Sequence, residues 1–369
     1  MDPSKPSTVF YQDPDLPCIF KPMDSRFRPF EPRYRIPSAP ICRCLQGFAA
    51  AVVIGVAATF APADEARQGG PGKAAAEGPP PAEELSLTTS DGVAIAAWYY
   101  PVADEGKPKA TVIVIHDLDG SHETIAPLSI GLQREGYAVV APDLRGHGAS
   151  TERVGGAGRG GTIDGGSLRK PDLLAIAASG GGRIREQATA RGDIEAIHGW
   201  IKKQSDSGML DADRVCVVGS GAGGTLGALW TVADAEWPPT TSGPQGRTVR
   251  AIALVSPALS AKGGVSIQPA IKSDVFRRTL PILLMAGNND RDAKKLTDQL
   301  KGVRPKEWLV RGPGQKRDQA EGVEKPADAS IFCMHADSPL SGDTLASDAT
   351  ARAGTIIAQF FDIALERRR

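Results

Sequence analysis

The chain has 369 residues, enough for one large domain or two small ones. Its 43 basic residues balance its 43 acidic ones, so no overall field draws it to nucleic acid or to an anionic membrane surface. Aromatic residues make up only 5%, whereas glycine (42) and proline (29) are abundant, which implies a compact core accompanied by sizeable irregular segments.

Residues 1–44 are rich in Pro, Arg and isolated aromatics and carry neither a helical nor a strand period. Residues 45–60 (LQGFAAAVVIGVAATF) are an uncharged apolar run, preceded by Arg43 and followed by Ala61-Pro62-Ala63. A basic flank, a short apolar stretch and an A-x-A site are the parts of a secretory signal, cleaved here near Ala63. An uncleaved membrane anchor through 45–60 is the alternative, although spans usually need about 20 apolar residues. Initiation at Met23 would shorten the leader. Either way residues 1–63 read as leader, and the expectation is an exported protein of the periplasm or cell envelope. Of five cysteines, Cys18, Cys42 and Cys44 lie in the leader, and Cys216 falls in a predicted buried strand, where a core role is expected. No CxxC pair and no metal-ligand spacing is present, so neither a metal nor another cofactor is expected.

Residues 64–82 form a Pro/Gly/Ala-rich linker with nothing to bury, and the folded domain is expected over 83–369. Segments 85–87 and 93–100, either side of Asp91-Gly92, read as an opening β-hairpin. Residues 110–115 (ATVIVI) suit a buried strand, 123–135 a helix closed by Gly136, and 137–141 (YAVVA) the next strand. Residues 154–190 are Gly-rich and poorly periodic, an excursion from the core. The helical pattern resumes over 193–203, with Ile194, Ile197 and Ile201 on one face. Strands are predicted at 214–218, 251–255, 280–285 and 306–310, and helices at 223–232 and 355–365. Strand and helix in alternation imply an α/β domain with a mostly parallel central sheet and helices on both faces.

Functional residues in such sheets cluster beyond the carboxyl ends of the strands. Those positions hold His116-Asp117-Leu118-Asp119-Gly120-Ser121, then PDLRGHGAS (142–150), then Gly219-Ser220-Gly221-Ala222-Gly223, then Gly287-Asn288-Asn289-Asp290, and finally His335. Together these resemble the α/β-hydrolase superfamily, in its serine-aminopeptidase and acyl-esterase branch, over about residues 85–366. The resemblance implies the α/β-hydrolase fold and a G-x-Ser-x-G elbow whose serine occupies a strained strand-to-helix turn. With Gly219 and Gly223 as the flanking glycines, the nucleophile position holds Gly221, which has no hydroxyl to form an acyl-enzyme. Ser220 is the alternative nucleophile, in a register that loses the flanking glycines. The resemblance further implies Asp290 as the acid, His335 as the base, and the backbone N–H groups of Leu118 and Ala222 as oxyanion-hole donors. Asp117 stands where the pattern has a glycine, and a carboxylate there would oppose a developing oxyanion if it pointed inward. His116, His147 and Asp143 are expected to structure loops.

The reading is a hydrolase-fold protein lacking serine-type catalysis and acting as a binding or scaffold module for a small-molecule or peptide ligand. The alternative is an active ester, amide or peptide hydrolase using Ser220 or a water activated by His335 and Asp290. A purely structural envelope protein rests on the leader and linker alone.

Overall fold

Short runs with no charged side chain, such as TVIVI and ILLMA, can be buried on both faces only where helices cover a sheet from two sides. The computed structural model describes residues 78–102, 106–154, 160–177, 192–237, 241, 246–312, 315–316, 319–325 and 328–367. The chain divides into Met1–Gly70 and Pro71–Arg369. The leader and anchor readings for 1–63, and the linker up to 77, lie outside the described residues. Among the described residues no helix is long and apolar enough to cross a membrane.

Strands β1 (Glu83–Thr88) and β2 (Ala94–Tyr100) form the opening hairpin. The alternating core follows as β3 (Thr111–Ile115), α1 (Ala126–Arg134) and β4 (Ala138–Pro142). Next come α2 (Lys170–Ile176), α3 (Asp193–Asp206), β5 (Val215–Ser220) and α4 (Gly221–Ala235). Strand β6 (Val249–Val255), α5 (Gln268–Lys272), β7 (Ile282–Ala286) and α6 (Arg291–Val303) continue the alternation. The chain closes with β8 (Trp308–Arg311), β9 (Glu321–Gly322), β10 (Ile331–His335), α7 (Gly342–Ser347) and α8 (Ala353–Glu366).

These ten strands make one sheet in the order β1-β2-β4-β3-β5-β6-β7-β10-β8-β9. Pairing is parallel from β4 through β8 and antiparallel at both ends. Side chains alternate between the faces, as the two-residue strand period requires. Ile113, Val217, Leu254 and Leu284 pack on one side with α2, α3, α4, α5 and α6. Val114, Cys216, Ala253 and Leu283 pack on the other with α1, α7 and α8. The result is the α/β-hydrolase fold, with the carboxyl ends of the parallel strands gathered at one edge.

Three predicted elements need correction. Residues 170–176, expected within an excursion, form α2 and bury Leu173 and Ile176 in the core; Gly-rich flanks hide this single helical turn pair from a periodicity count. The predicted helix at 123–135 begins as a 3₁₀ turn, His122–Ile125, because Ser121 and Thr124 cap it and Pro127 restarts the helix as α1. Helix α4 begins at Gly221, two residues before its predicted start, because β5 passes into it without a connecting loop.

One buried ion cluster fixes the loop after β4. Asp193, at the start of α3, is fully buried, and its Oδ1 accepts from Arg145 Nε at 2.8 Å while its Oδ2 accepts from the Arg145 backbone N–H at 2.8 Å. Arg145 Nη1 reaches Asp91 Oδ2 in the first hairpin turn at 2.8 Å. Removing the guanidinium would leave a carboxylate buried without its counter-charge. Arg145→Met is therefore expected to lower the unfolding free energy in urea by about 3–5 kcal/mol, and a loss under about 1 kcal/mol would show that the cluster does not hold the loop.

Candidate functional site

The strand-to-helix turn after β5 is built by glycines for steric reasons. A Cβ on Gly219 would collide with the backbone of Gly223 and Gly224, and one on Gly223 would collide with the carbonyl oxygens of Ile115 and His116. Gly221 sits at the turn itself with φ +52, in the left-handed region that costs an L residue about 1–2 kcal/mol. The turn therefore has the geometry that presents a nucleophile, and it carries no side chain.

The space above Gly221 is occupied from the neighbouring strand. Asp117 follows β3, and its Oδ1 accepts hydrogen bonds from Leu118 N at 2.8 Å and from Ala222 N at 2.9 Å. Those are the two backbone donors expected to form the oxyanion hole. Its Oδ2 lies where a Cβ on Gly221 would stand, so the two cannot share the site. The carboxyl group points inward and fills the hole.

Asp117 is itself held in place from several sides. Its backbone N–H donates to Asp343 Oδ1 at 3.0 Å, and its carbonyl accepts from Gly120 N and from Nδ1–H of buried His116. His116 Nε2 in turn accepts from Leu144 N at 2.9 Å, which fixes its neutral tautomer; burial lowers its pKa in keeping with that. Burial also raises the Asp117 pKa, an effect reinforced by the nearby charges of Asp343 and Asp119 and opposed by the two N–H donors.

A cleft of about 530 Å³ opens over this turn, and Asp117, Gly221, Ala222, Ser256 and Asp290 are among the residues lining it. Asp290 caps α6, accepting from Ala293 N at 2.9 Å. Ser220 is 1% exposed, does not line the cleft, and its Oγ has no hydrogen-bond partner. His335 ends β10 and opens on a different depression beside Arg311 and Gln359. Its pKa is lowered by burial and by Lys294, against the pull of Asp290, yet no hydrogen bond or ion pair joins it to Asp290 and its buried Nδ1 has no partner. The structure thus brings Gly221, Asp290, Leu118 and Ala222 together, and leaves Ser220 and His335 outside the cleft.

After β10 the chain turns back through Ala336 N–H to Ala286 O at 2.7 Å and Asn288 N–H to Ser338 O at 2.9 Å. The residues it then presents to the cleft are Pro339, Ser341 and Gly342, and none of them is a base. Sequence reasoning missed this because the only histidine late in the chain precedes the loop that reaches the site. It also missed Ser256 and Asp343, whose flanking sequences carry no motif. Ser256 lies at the end of β6 with φ +45, an uncommon conformation for a residue with a side chain. His122 and Ala149 both donate to Asp143, and His147 bonds the Arg145 carbonyl through Nδ1, so the PDLRGHGAS segment is occupied with holding its own loop.

Residues 106–304 match the family described as serine aminopeptidase, S33. The chain belongs to this α/β-hydrolase family. Among solved structures, an esterase of Pyrococcus furiosus is similar at a TM-score of 0.49 and 15% identity, over 77% of this chain and 91% of that one. The carboxylesterase EstE1 from a metagenomic library aligns at a TM-score of 0.48 and 15% identity, over 79% and 92%. A dienelactone hydrolase described as putative, from Klebsiella pneumoniae, aligns at 0.45 and 16%, over 76% and 98%. No curated protein matches the sequence.

Two measurements check the filled hole. Gly221→Ala should cost more stability than the ~1–2 kcal/mol of its left-handed backbone, and adding Asp117→Gly should return the excess. A double-mutant cycle with no coupling between the two would show that they do not compete for space. The raised Asp117 pKa also has a sign. Below the unfolded-state value of 3.8 the protonated group contributes its full stability, which is lost as pH rises through the folded value. Relative to Asp117→Asn, the parent should therefore gain stability as pH falls toward 3.8 and level off below it. A difference in unfolding free energy that ran the other way would contradict the burial of this charge.

Proposed function

We propose that the protein is a hydrolase-fold binding or scaffold module in which serine-type catalysis has been lost. The observation that carries this reading is the Asp117 carboxylate, bonded to Leu118 N and Ala222 N above a turn whose nucleophile position is Gly221. A tetrahedral oxyanion would have to displace an ion already bound at its site, and no hydroxyl stands there to form it. The loop that faces the turn from β10 offers no base, which supports the same reading. Family membership assigns the frame, and the frame does not assign the chemistry.

The test is an ester assay and a fluorophosphonate labelling of the purified protein beside Gly221→Ser, Asp117→Gly/Gly221→Ser, Ser220→Ala and His335→Ala. The expected outcome is neither turnover nor labelling in the parent. Gly221→Ser alone should remain inert, because its side chain meets Asp117. Parent turnover abolished by Ser220→Ala or by His335→Ala would overturn the proposal in favour of an active hydrolase, the first pointing to that serine and the second to activated water.

A further inference from the structure

A groove between α8 and the β7-β10-β8 part of the sheet grades from apolar to cationic, and the strand register sets the gradient. Leu283, Phe332 and Leu309 are paired side by side across β7, β10 and β8, and the next row on the same face is Met285, Met334 and Arg311. Two residues of rise set these rows about 7 Å apart. Over the first row, Phe360 and Ile363 of α8 close an apolar slot of about 110 Å³. Beyond the second row it adjoins a wider cavity of about 550 Å³, lined by Arg311, His335, Arg352 and Thr355. Arg311, Met334, Ile356 and Gln359 line both spaces. Helix α8 therefore begins at the wide, polar end and runs along the slot.

The polar end carries positive charge that the protein does not use. Arg311 is half-buried and Arg352 exposed, and among the described residues neither forms an ion pair. Asp337 is the one carboxylate lining this cavity; it is exposed and is likewise in no ion pair, so two permanent cations face a single anion. No side chain caps α8, which leaves the N–H groups of its first turn, and the positive end of its dipole, without a side-chain acceptor at the same place. The slot offers the opposite chemistry. Leu283, Phe332 and Phe360 belong to the buried core, and Leu309 and Ile363 pack against it.

We infer that this groove binds a short-chain alkyl carboxylate, its head against Arg311 and Arg352 and its tail in the slot between the sheet and α8. A guanidinium takes a carboxylate through two parallel hydrogen bonds, which a single ammonium cannot reproduce. Size selects the tail. A dry cavity of about 150 Å³ admits benzene, so the slot suits a chain of roughly four or five carbons. The groove shares no lining residue with the cleft over Gly221, and the inference holds whether or not that cleft is catalytic.

The experiment is isothermal titration of the full chain with hexanoate, beside butanoate, acetate, hexanol and hexylamine at matched ionic strength. Hexanoate is expected to bind. Each methylene removed should weaken binding about fourfold, so butanoate should bind about fifteenfold less tightly. Hexanol should bind at least tenfold more weakly than hexanoate, and hexylamine not at all. Arg311→Gln and Arg352→Gln should each weaken hexanoate about tenfold with an unchanged melting temperature, and Ile363→Phe should weaken it by filling the slot. Asp337→Asn removes the opposing charge and should tighten binding about twofold. No binding of hexanoate, acetate binding as tightly, hexylamine binding equally, or an affinity indifferent to both arginine variants would overturn the inference.

Discussion

Two backbone N–H groups aimed at one point demand an acceptor, and the way that demand is met organises the rest of this molecule. In a working acyl-transfer enzyme the pair waits for substrate oxygen. Here Asp117 Oδ1 satisfies both at once, from a residue that is also the hinge of its own loop. Its backbone N–H reaches Asp343 in the first turn of α7, and its carbonyl accepts from His116. Through the side chain and backbone of this one residue the loop after β3, the turn after β5 and the return from β10 are tied together. A buried donor left unpaired is costly, so this arrangement stabilises the turn independently of any ligand.

The parts of the family pattern that persist are those with steric or hydrogen-bonding duties. Gly219 and Gly223 must remain small because the turn packs directly on the backbone of its neighbours. The PDLRGHGAS loop is pinned to its neighbours by a network in which Asp143 takes three donated contacts, two of them from His122, and Arg145 bridges Asp193 to Asp91. At the centre of the site, Gly221 stands at the turn and Asp117 stands where the pattern has a glycine. The resemblance is consequently strongest in the scaffolding around the site and fails at its centre.

Legibility from sequence followed the same division. Strands β3, β4, β5 and β7 are apolar runs bounded by turn residues, and alternation with amphipathic segments such as α3 and α8 is enough to give the class of sheet, while β10, α5, α6 and α7 went unread. Helix α2 escapes a periodicity count because it is only seven residues long and carries Pro171 in its first turn. Gly221 could be placed because spacing to two glycines is a property of the sequence. His335 could not be judged that way. Whether a residue faces a cleft depends on where its strand ends, and β10 runs one residue further than an apolar count gives, carrying the histidine out of reach before the chain bends back. The inward direction of Asp117 was equally beyond sequence, since it follows from Leu118 and Ala222 converging only after the sheet has formed.

The mutual exclusion of Asp117 and a side chain at 221 also makes the site a two-residue problem of space. A serine placed at the turn collides with the carboxylate, and a glycine placed at 117 empties the hole while the turn still lacks a hydroxyl. The two positions work like a lock with one bolt, since room at 221 opens only when the side chain at 117 is withdrawn.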